Sequence, residues 1–212
     1  MERIIGCQLD HLVWAVPDLE RGVAQLDRAI GIEATMGGSH VGLGTANFLL
    51  GLDEGAYLEV IGPDATQPQP PAERPFGVDD LLHPRLVTFA VRVENIEATV
   101  DELRRLGHDP GEPHAMQRAL PDGGTLSWRL THPPDWAAGV VPFLIEWRDV
   151  IHPSQSCAQG ARLERLHAQH PDPSRVAAVW NAMGLDYFVE GGPIARLEAT
   201  VRGPAGSITL VG

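Results

Sequence analysis

Cysteine is nearly absent from this chain. Two occur, Cys7 and Cys157, in 212 residues. Two cysteines make no disulfide framework, and no zinc-type CxxC pair accompanies them, so they read as free thiols of a reducing compartment. Basic residues are also scarce. Sixteen Lys and Arg stand against 28 Asp and Glu, for a formal net charge of -12. An acidic chain repels phosphate backbones, which argues against a nucleic-acid partner. Long apolar runs are missing. None approaches the ~20 residues that span a bilayer, and the opening "MERIIGCQLD" lacks the apolar core of a signal peptide. No Gly-rich phosphate loop leads from a strand into a helix, and no GxSxG elbow is present. These absences point to a cytoplasmic protein with neither membrane nor nucleic acid as partner. Hydrophobic residues at 43% and charged residues at 21% exclude a disordered chain and leave ample length for a core.

What is present is a repeat. The stretch "LDHLVWAVPDL", Leu9 to Leu19, reads as a strand that leads into a helix. Asp18 is a candidate N-cap, with Glu20 in the first turn. Leu19, Val23, Leu26 and Ile30 recur at helical spacing, and Gly31 stops the helix. "RLVTFAVRVENIEATVDELRRLG", Arg85 to Gly107, has the same plan: Asn95 takes the place of Asp18, and Ile96, Val100 and Leu103 match Leu19, Val23 and Leu26. Each pair is offset by 77 positions without a gap. Three short β-type runs follow the first helix. After the second helix, "TLSWRLTHP" and "VPFLIEWRD" read as the last two strands, separated by the Pro-rich loop "HPPDWAAGVVP". Each unit is β-α-β-β-β. A third, shorter echo begins at "RLERLHAQ", with Asp172 as cap and Pro173 at the first helical position. The fold class is α+β. Residues 1–150 hold two modules, about 9–62 and 85–148, joined by the Pro-rich linker "GPDATQPQPPAERPFG". Residues 160–212 hold the third unit, packed on them.

Alternation along the strands locates the polar oddities. Leu12, Trp14 and Val16 share an apolar face that suits the helix. Leu9, His11, Val13 and Ala15 share the other, so His11 points away from the helix. "AYLEVIGPD" and "PFLIEWRDV" correspond, which pairs Glu59 with Glu146. Each carboxylate lies in the middle of an apolar strand, where burial costs several kcal/mol unless the group is paired or metal-bound. His11, Glu59 and Glu146 therefore suggest one site, against the plainer reading of a buried hydrogen-bonded cluster. Trp147, next to Glu146 on the opposite strand face, is expected under a helix. Trp136 is a candidate lid.

Paired βαβββ modules with His in a first strand and Glu in a last resemble the vicinal oxygen chelate superfamily. The opening "LDHLVWAVPDL", the stretch "GGSHVGLGTANFLLGLDEGAYLEVIGPD" and "PFLIEW…HPS" are similar to its glyoxalase-like family. The resemblance implies that the two modules curl into a cup-shaped half-barrel and that the chain is a homodimer. It places metal positions at His11, Glu59, Thr88 and Glu146. Thr88 stands where a second His is usual, 77 positions after His11. Three N/O ligands still describe a catalytic centre with open positions for Zn, Ni, Mn, Co or Fe. One His with two Glu is not the two-His, one-carboxylate set of Fe(II) oxygenases, which speaks against extradiol cleavage.

His40, at the expected rim of the cup, is a fourth ligand, a substrate contact or a surface histidine. Thr45 and Asn47 on the next strand share the cavity in this reading, as does Thr88. His152 follows Glu146 by six positions, where it closes over the cup or stays solvated. The resemblance implies a lyase or isomerase binding a small oxygen-rich molecule at a divalent metal, with an enediolate formed as Glu146 or Glu59 moves a proton. The alternative is a binding protein of the bleomycin-resistance kind, which sequesters a small molecule without metal or chemistry.

Overall fold

The computed structural model describes residues 7–68, 73–119, 123–132, 135–148 and 150–212. Parts of the linker (69–72) and of the second Pro-rich loop (133–134) lie outside the described residues. The first module runs β1 (Gln8–Ala15), α1 (Leu19–Ile30), β2 (Thr35–His40), β3 (Thr45–Gly51) and β4 (Tyr57–Pro63). The second runs β5 (Arg85–Arg92), α2 (Ile96–Arg105), β6 (His114–Ala119), β7 (Thr125–Leu130) and β8 (Phe143–Trp147). The expected caps form. Asp18 accepts from the Arg21 backbone N–H, Asn95 from Ala98, and Gly31 ends α1 at φ 74°, a left-handed conformation that glycine adopts without steric cost.

The two modules make one eight-stranded sheet in the order β2-β3-β4-β1-β5-β8-β7-β6. Its two edge strands, β2 and β6, approach each other, so the sheet curls nearly closed. In each module the first strand pairs in parallel with the last, and β1 and β5 join antiparallel at the centre. Leu12 sits directly opposite Phe89 in that central ladder. The two are 77 positions apart, so the offset read in the sequence is the pseudo-twofold axis of the cup.

Leu12, Trp14 and Val16 face the main core with Phe89, Ile96, Val100 and Leu103, while Val13, Ala15, Ile61 and Ala90 line the inside of the curl. Burying each large apolar side chain contributes roughly 1.5–3 kcal/mol. One departure from alternation matters for the site. A bulge between Leu9 and His11 sets Asp10 as the extra residue against β5. The bulge shifts the phase of the strand, and Leu9 packs with Leu12 on the main core instead of sharing the His11 face.

The third unit is β9 (Arg162–His170), α3 (Pro173–Ala182), β10 (Phe188–Gly191), β11 (Arg196–Arg202) and β12 (Ser207–Val211). Its chain order is that of the modules, but its sheet order is β10-β9-β11-β12. It shares the main core: Trp180 stands edge-on to Phe89, with ring centroids 5.5 Å apart, and donates to the Val140 carbonyl at 2.9 Å. The β11–β12 turn docks on the end of α1 through Ala205 N–H to Ile30 O, 3.0 Å.

Candidate functional site in the cup

The curl encloses a cavity of about 680 Å³ including its open mouth, the size of a small-molecule site. His11 comes from β1, Tyr57 and Glu59 from β4, and Asn47 from β3. His40 ends β2, Arg118 lies on β6, and Phe143 and Trp147 lie on β8. Aromatic walls thus surround a few convergent polar groups.

His11 is buried and held on three sides. Its ring stacks on Tyr57 at 4.6 Å, Phe143 stands edge-on to it, and its Nδ1 lies 2.6 Å from Asp10 Oδ1. Adjacent residues of a regular strand face opposite ways; the bulge at Asp10 allows this bond. Asp10 is fully buried, and its other oxygen accepts from Trp147 Nε1 at 3.0 Å and from His152 Nε2 at 2.8 Å. Burial pushes the Asp10 carboxyl upward, but the hydrogen bonds from His11 and His152 more than reverse this and hold it well below the usual carboxylate range. An ionised carboxylate only accepts, so His11 Nδ1 donates to Asp10. Nε2 is left toward the cavity.

Across the cavity wall, His11 Nε2 lies 3.8 Å from Glu59 Oε2, beyond direct hydrogen-bond range. Glu59 Oε1 accepts from Asn47 Nδ2 at 2.6 Å, and Asn47 Oδ1 in turn meets Arg118 Nη1 at 3.4 Å. His40 Nδ1 lies 3.0 Å from Thr45 Oγ1. Burial pushes His40 below its ordinary value, against the pull of Glu59. Burial likewise raises the Tyr57 phenol well above its ordinary value, with Asp10 and Glu59 adding to the shift.

The structure therefore brings His11, Glu59, His40 and Asn47 into one cavity. Thr45 stands behind His40. His152 is buried behind His11, bound to Asp10, and not over the mouth. Thr88 lines an adjoining recess with Val141, Gly139 and Phe143. Glu146 is not in the cavity. Val13 pairs with Glu59, and Ala90, 77 positions later, pairs with Phe143. Phe143, not Glu146, is thus the repeat counterpart of Glu59. Glu146 lies three positions further, and an odd step along a strand reverses the face. Its carboxylate instead accepts from Ile96 N–H at the start of α2, at 3.3 Å, and from Arg148 Nε at 2.7 Å. Trp147 consequently lines the cavity and does not lie under a helix. Trp136 packs on Arg175 and His170 away from the mouth.

Sequence reasoning missed Asp10, hidden by the bulge, and Arg118, which lies in the loosely matched stretch after α2. A polar residue beside His11 in an apolar strand was the available signal for the first.

These residues do not fit a divalent metal held by protein ligands. Of the four repeat-related positions, His11 and Glu59 carry nitrogen or carboxylate donors, while Thr88 and Phe143 fill the others; His40 Nε2 stands 4.0 Å from Glu59 Oε1. Among the described residues no group of three or more His, Cys, Asp or Glu is arranged to hold a metal ion. No helix among them is long and apolar enough to cross a membrane.

The sequence model of a glyoxalase-like domain matches residues 9–184. No curated protein matches the chain. Among solved structures, a hypothetical protein from Staphylococcus aureus is similar over 89% of this chain and 88% of that one, at 18% identity and a TM-score of 0.66. Methylmalonyl-CoA epimerase from Mycobacterium tuberculosis is similar over 70% of this chain and 91% of that one, at 21% identity and a TM-score of 0.47. The match covers most of the sequence, and the pseudo-twofold cup is the one that the resemblance implies: the chain belongs to the glyoxalase-like domain family.

Proposed function

We propose that the cup is the proton-transfer site of a lyase or isomerase acting on a small oxygen-rich molecule. The observation that carries this reading is the Asp10–His11–Glu59 line. It holds an oriented imidazole whose Nε2 stands 3.8 Å from a carboxylate oxygen. That gap is beyond direct hydrogen-bond range, so a polar group of a bound molecule can bridge the two. In the proposed step, His11 Nε2 takes a proton from a carbon next to a substrate carbonyl. The electron pair of the broken C–H bond moves onto the carbonyl oxygen and forms an enediolate-type anion. Asp10 stabilises the resulting imidazolium, as its ionised, buried carboxylate suits it to do. Return of the proton to the same or a neighbouring carbon isomerises the substrate; loss of a group from the adjacent carbon makes the reaction a lyase.

What neutralises the anion is constrained by composition. The chain has no lysine, so a lysine Schiff base is closed to it. The donor set does not support a protein-held divalent metal. Among the described residues that line the cavity, the arginine is Arg118.

The aromatic walls and the Thr88 and Phe143 positions favour a second reading, sequestration of a small molecule without chemistry. Deuterium incorporation at the α-carbon of small 2-oxo and 2-hydroxy carbonyl compounds in D2O, followed by NMR, separates the two. The first reading expects exchange that falls at least about 100-fold in His11→Gln with the fold intact. Saturable binding without exchange in the wild type leaves sequestration.

A further inference from the structure

Arg118 presents a buried charge without a direct ion-pair partner inside the cup, with the Glu59 carboxylate acting on it only from beyond Asn47. It is 5% exposed, and a buried guanidinium is costly unless it is paired. Among the described residues its one hydrogen bond is the 3.4 Å contact from Nη1 to Asn47 Oδ1, and no carboxylate comes within ion-pairing distance. Asn47 stands between the guanidinium and Glu59, because its other end donates to Glu59. A Cβ at Gly37 would lie 2.3 Å from Asn47 Oδ1 and 2.8 Å from Arg118 Nη1, so a larger residue there would displace both side-chain ends. Arg118 is among the residues that line the cavity, and a guanidinium binds carboxylates through paired N–H groups.

Beside this pocket lies the recess that holds Thr88. The two compartments share Phe76, Leu130, His132 and Phe143 as walls. Val141, Ala137 and Gly139 make the far side of the recess. A molecule held at Arg118 thus has an apolar space to extend into past Phe143.

We propose that Arg118 is the anion receptor of the cup and that the ligand is a carboxylic acid bearing an apolar chain, its carboxylate on Arg118 and its chain past Phe143. This deepens the proton-transfer reading by naming its substrate class, and it rests on the cup being a small-molecule site.

The test uses butanoate, hexanoate, octanoate and neutral octanamide as probes, with binding read from the fluorescence of Trp128 and Trp147, which line the cavity, and confirmed by calorimetry. Octanoate is expected to bind at least about tenfold more tightly than octanamide, since hydrogen bonds to charged groups exceed neutral ones by about that factor. Arg118→Met is expected to erase this preference and Arg118→Lys to restore part of it. Phe143→Trp is expected to weaken octanoate and spare butanoate. Equal binding of acid and amide by the wild type overturns the proposal, as does a preference that survives in Arg118→Met. If Arg118→Met does not fold, the acid–amide comparison in the wild type and the chain-length series in Phe143→Trp decide it. Deuterium exchange does not enter these readouts. Its absence with a strong acid preference ends the proton-transfer reading and leaves this one standing; its presence with no acid preference does the reverse.

Discussion

Phe143 stands in the second module where Glu59 stands in the first, each paired in parallel with residues related by the 77-position repeat. Half of the cup is thereby stripped of metal-ligating chemistry, with Thr88 and Phe143 facing His11 and Glu59 across the pseudo-twofold. Protein incubated with Mn, Fe, Co, Ni or Zn and then freed of excess is expected to retain well below one equivalent by elemental analysis. One equivalent that disappears in His11→Ala and in Glu59→Ala would overturn this reading, and its loss in His40→Ala as well would place His40 beside them.

Asp10 ties three donors into one buried knot, so its removal acts on stability as well as on His11. Asp10→Asn keeps the shape but loses the charge and sets an amide N–H2 against a donor. A cost of about 3 kcal/mol is expected in urea unfolding at neutral pH, as for other broken buried charge networks. Acid dependence follows from the direction of the shift. Asp10 binds its proton less readily folded than unfolded, so its contribution is present above the ordinary value of 3.8. That contribution is lost as pH falls from there toward the depressed folded value. Asp64, held at about 2 by Thr66, Ser39 and Gln67 against the upward push of burial, acts in the same direction. Wild-type stability is therefore expected to fall on acidification below about pH 4, and more steeply than that of Asp10→Asn. Parallel acid limbs in the two proteins would contradict this account.

Glu146 separates the two ways of aligning the modules. In the structure its carboxylate serves the α2 N-terminus and Arg148, on the face away from the cavity. Glu146→Gln is expected to lower stability by about 1–2 kcal/mol, the scale of a weakened charged hydrogen bond at a helix start. Ligand affinity in the cup is expected to stay unchanged. Glu59→Gln is expected to do the opposite: it alters binding and exchange at His11 with a smaller effect on stability. A Glu146→Gln protein with normal stability and lost binding would favour the register read from sequence.

The contrast between these two glutamates marks how far the sequence reaches. The repeat was legible because helix caps and apolar spacing are local, and both were copied at a constant offset. The face of His11 and Glu59 was legible because alternation holds from His11 to Ala15 and along β4. Glu146 was misplaced because strand register is set by partners across the sheet. A motif match after an insertion does not carry that information. Asp10 was hidden by a bulge that only the β1–β5 pairing reveals. Arg118 lies on an edge strand whose sequence does not match its counterpart β2 in the first module, so nothing in its neighbourhood distinguished it from a solvated arginine.

The third unit offers the sharpest test of packing. A Cβ at Gly203 would lie 2.5 Å from the Ile30 carbonyl oxygen, a backbone atom that cannot turn aside. The turn after β11 can therefore sit on the end of α1 only with glycine there. Gly203→Ala is expected to lift this turn, break the Ala205 N–H to Ile30 O bond and cost about 1–3 kcal/mol. Trp180→Ala is expected to cost about 3–5 kcal/mol, because it empties a large buried site against Phe89 and orphans the Val140 carbonyl. Limited proteolysis distinguishes local from global loss. If the unit docks as a separable layer, Gly203→Ala opens cleavage within 203–206 before the cup melts. If the core is cooperative throughout, as the shared cluster of Phe89, Trp180, Ala199 and Leu210 predicts, cleavage and loss of cup fluorescence occur together in both variants.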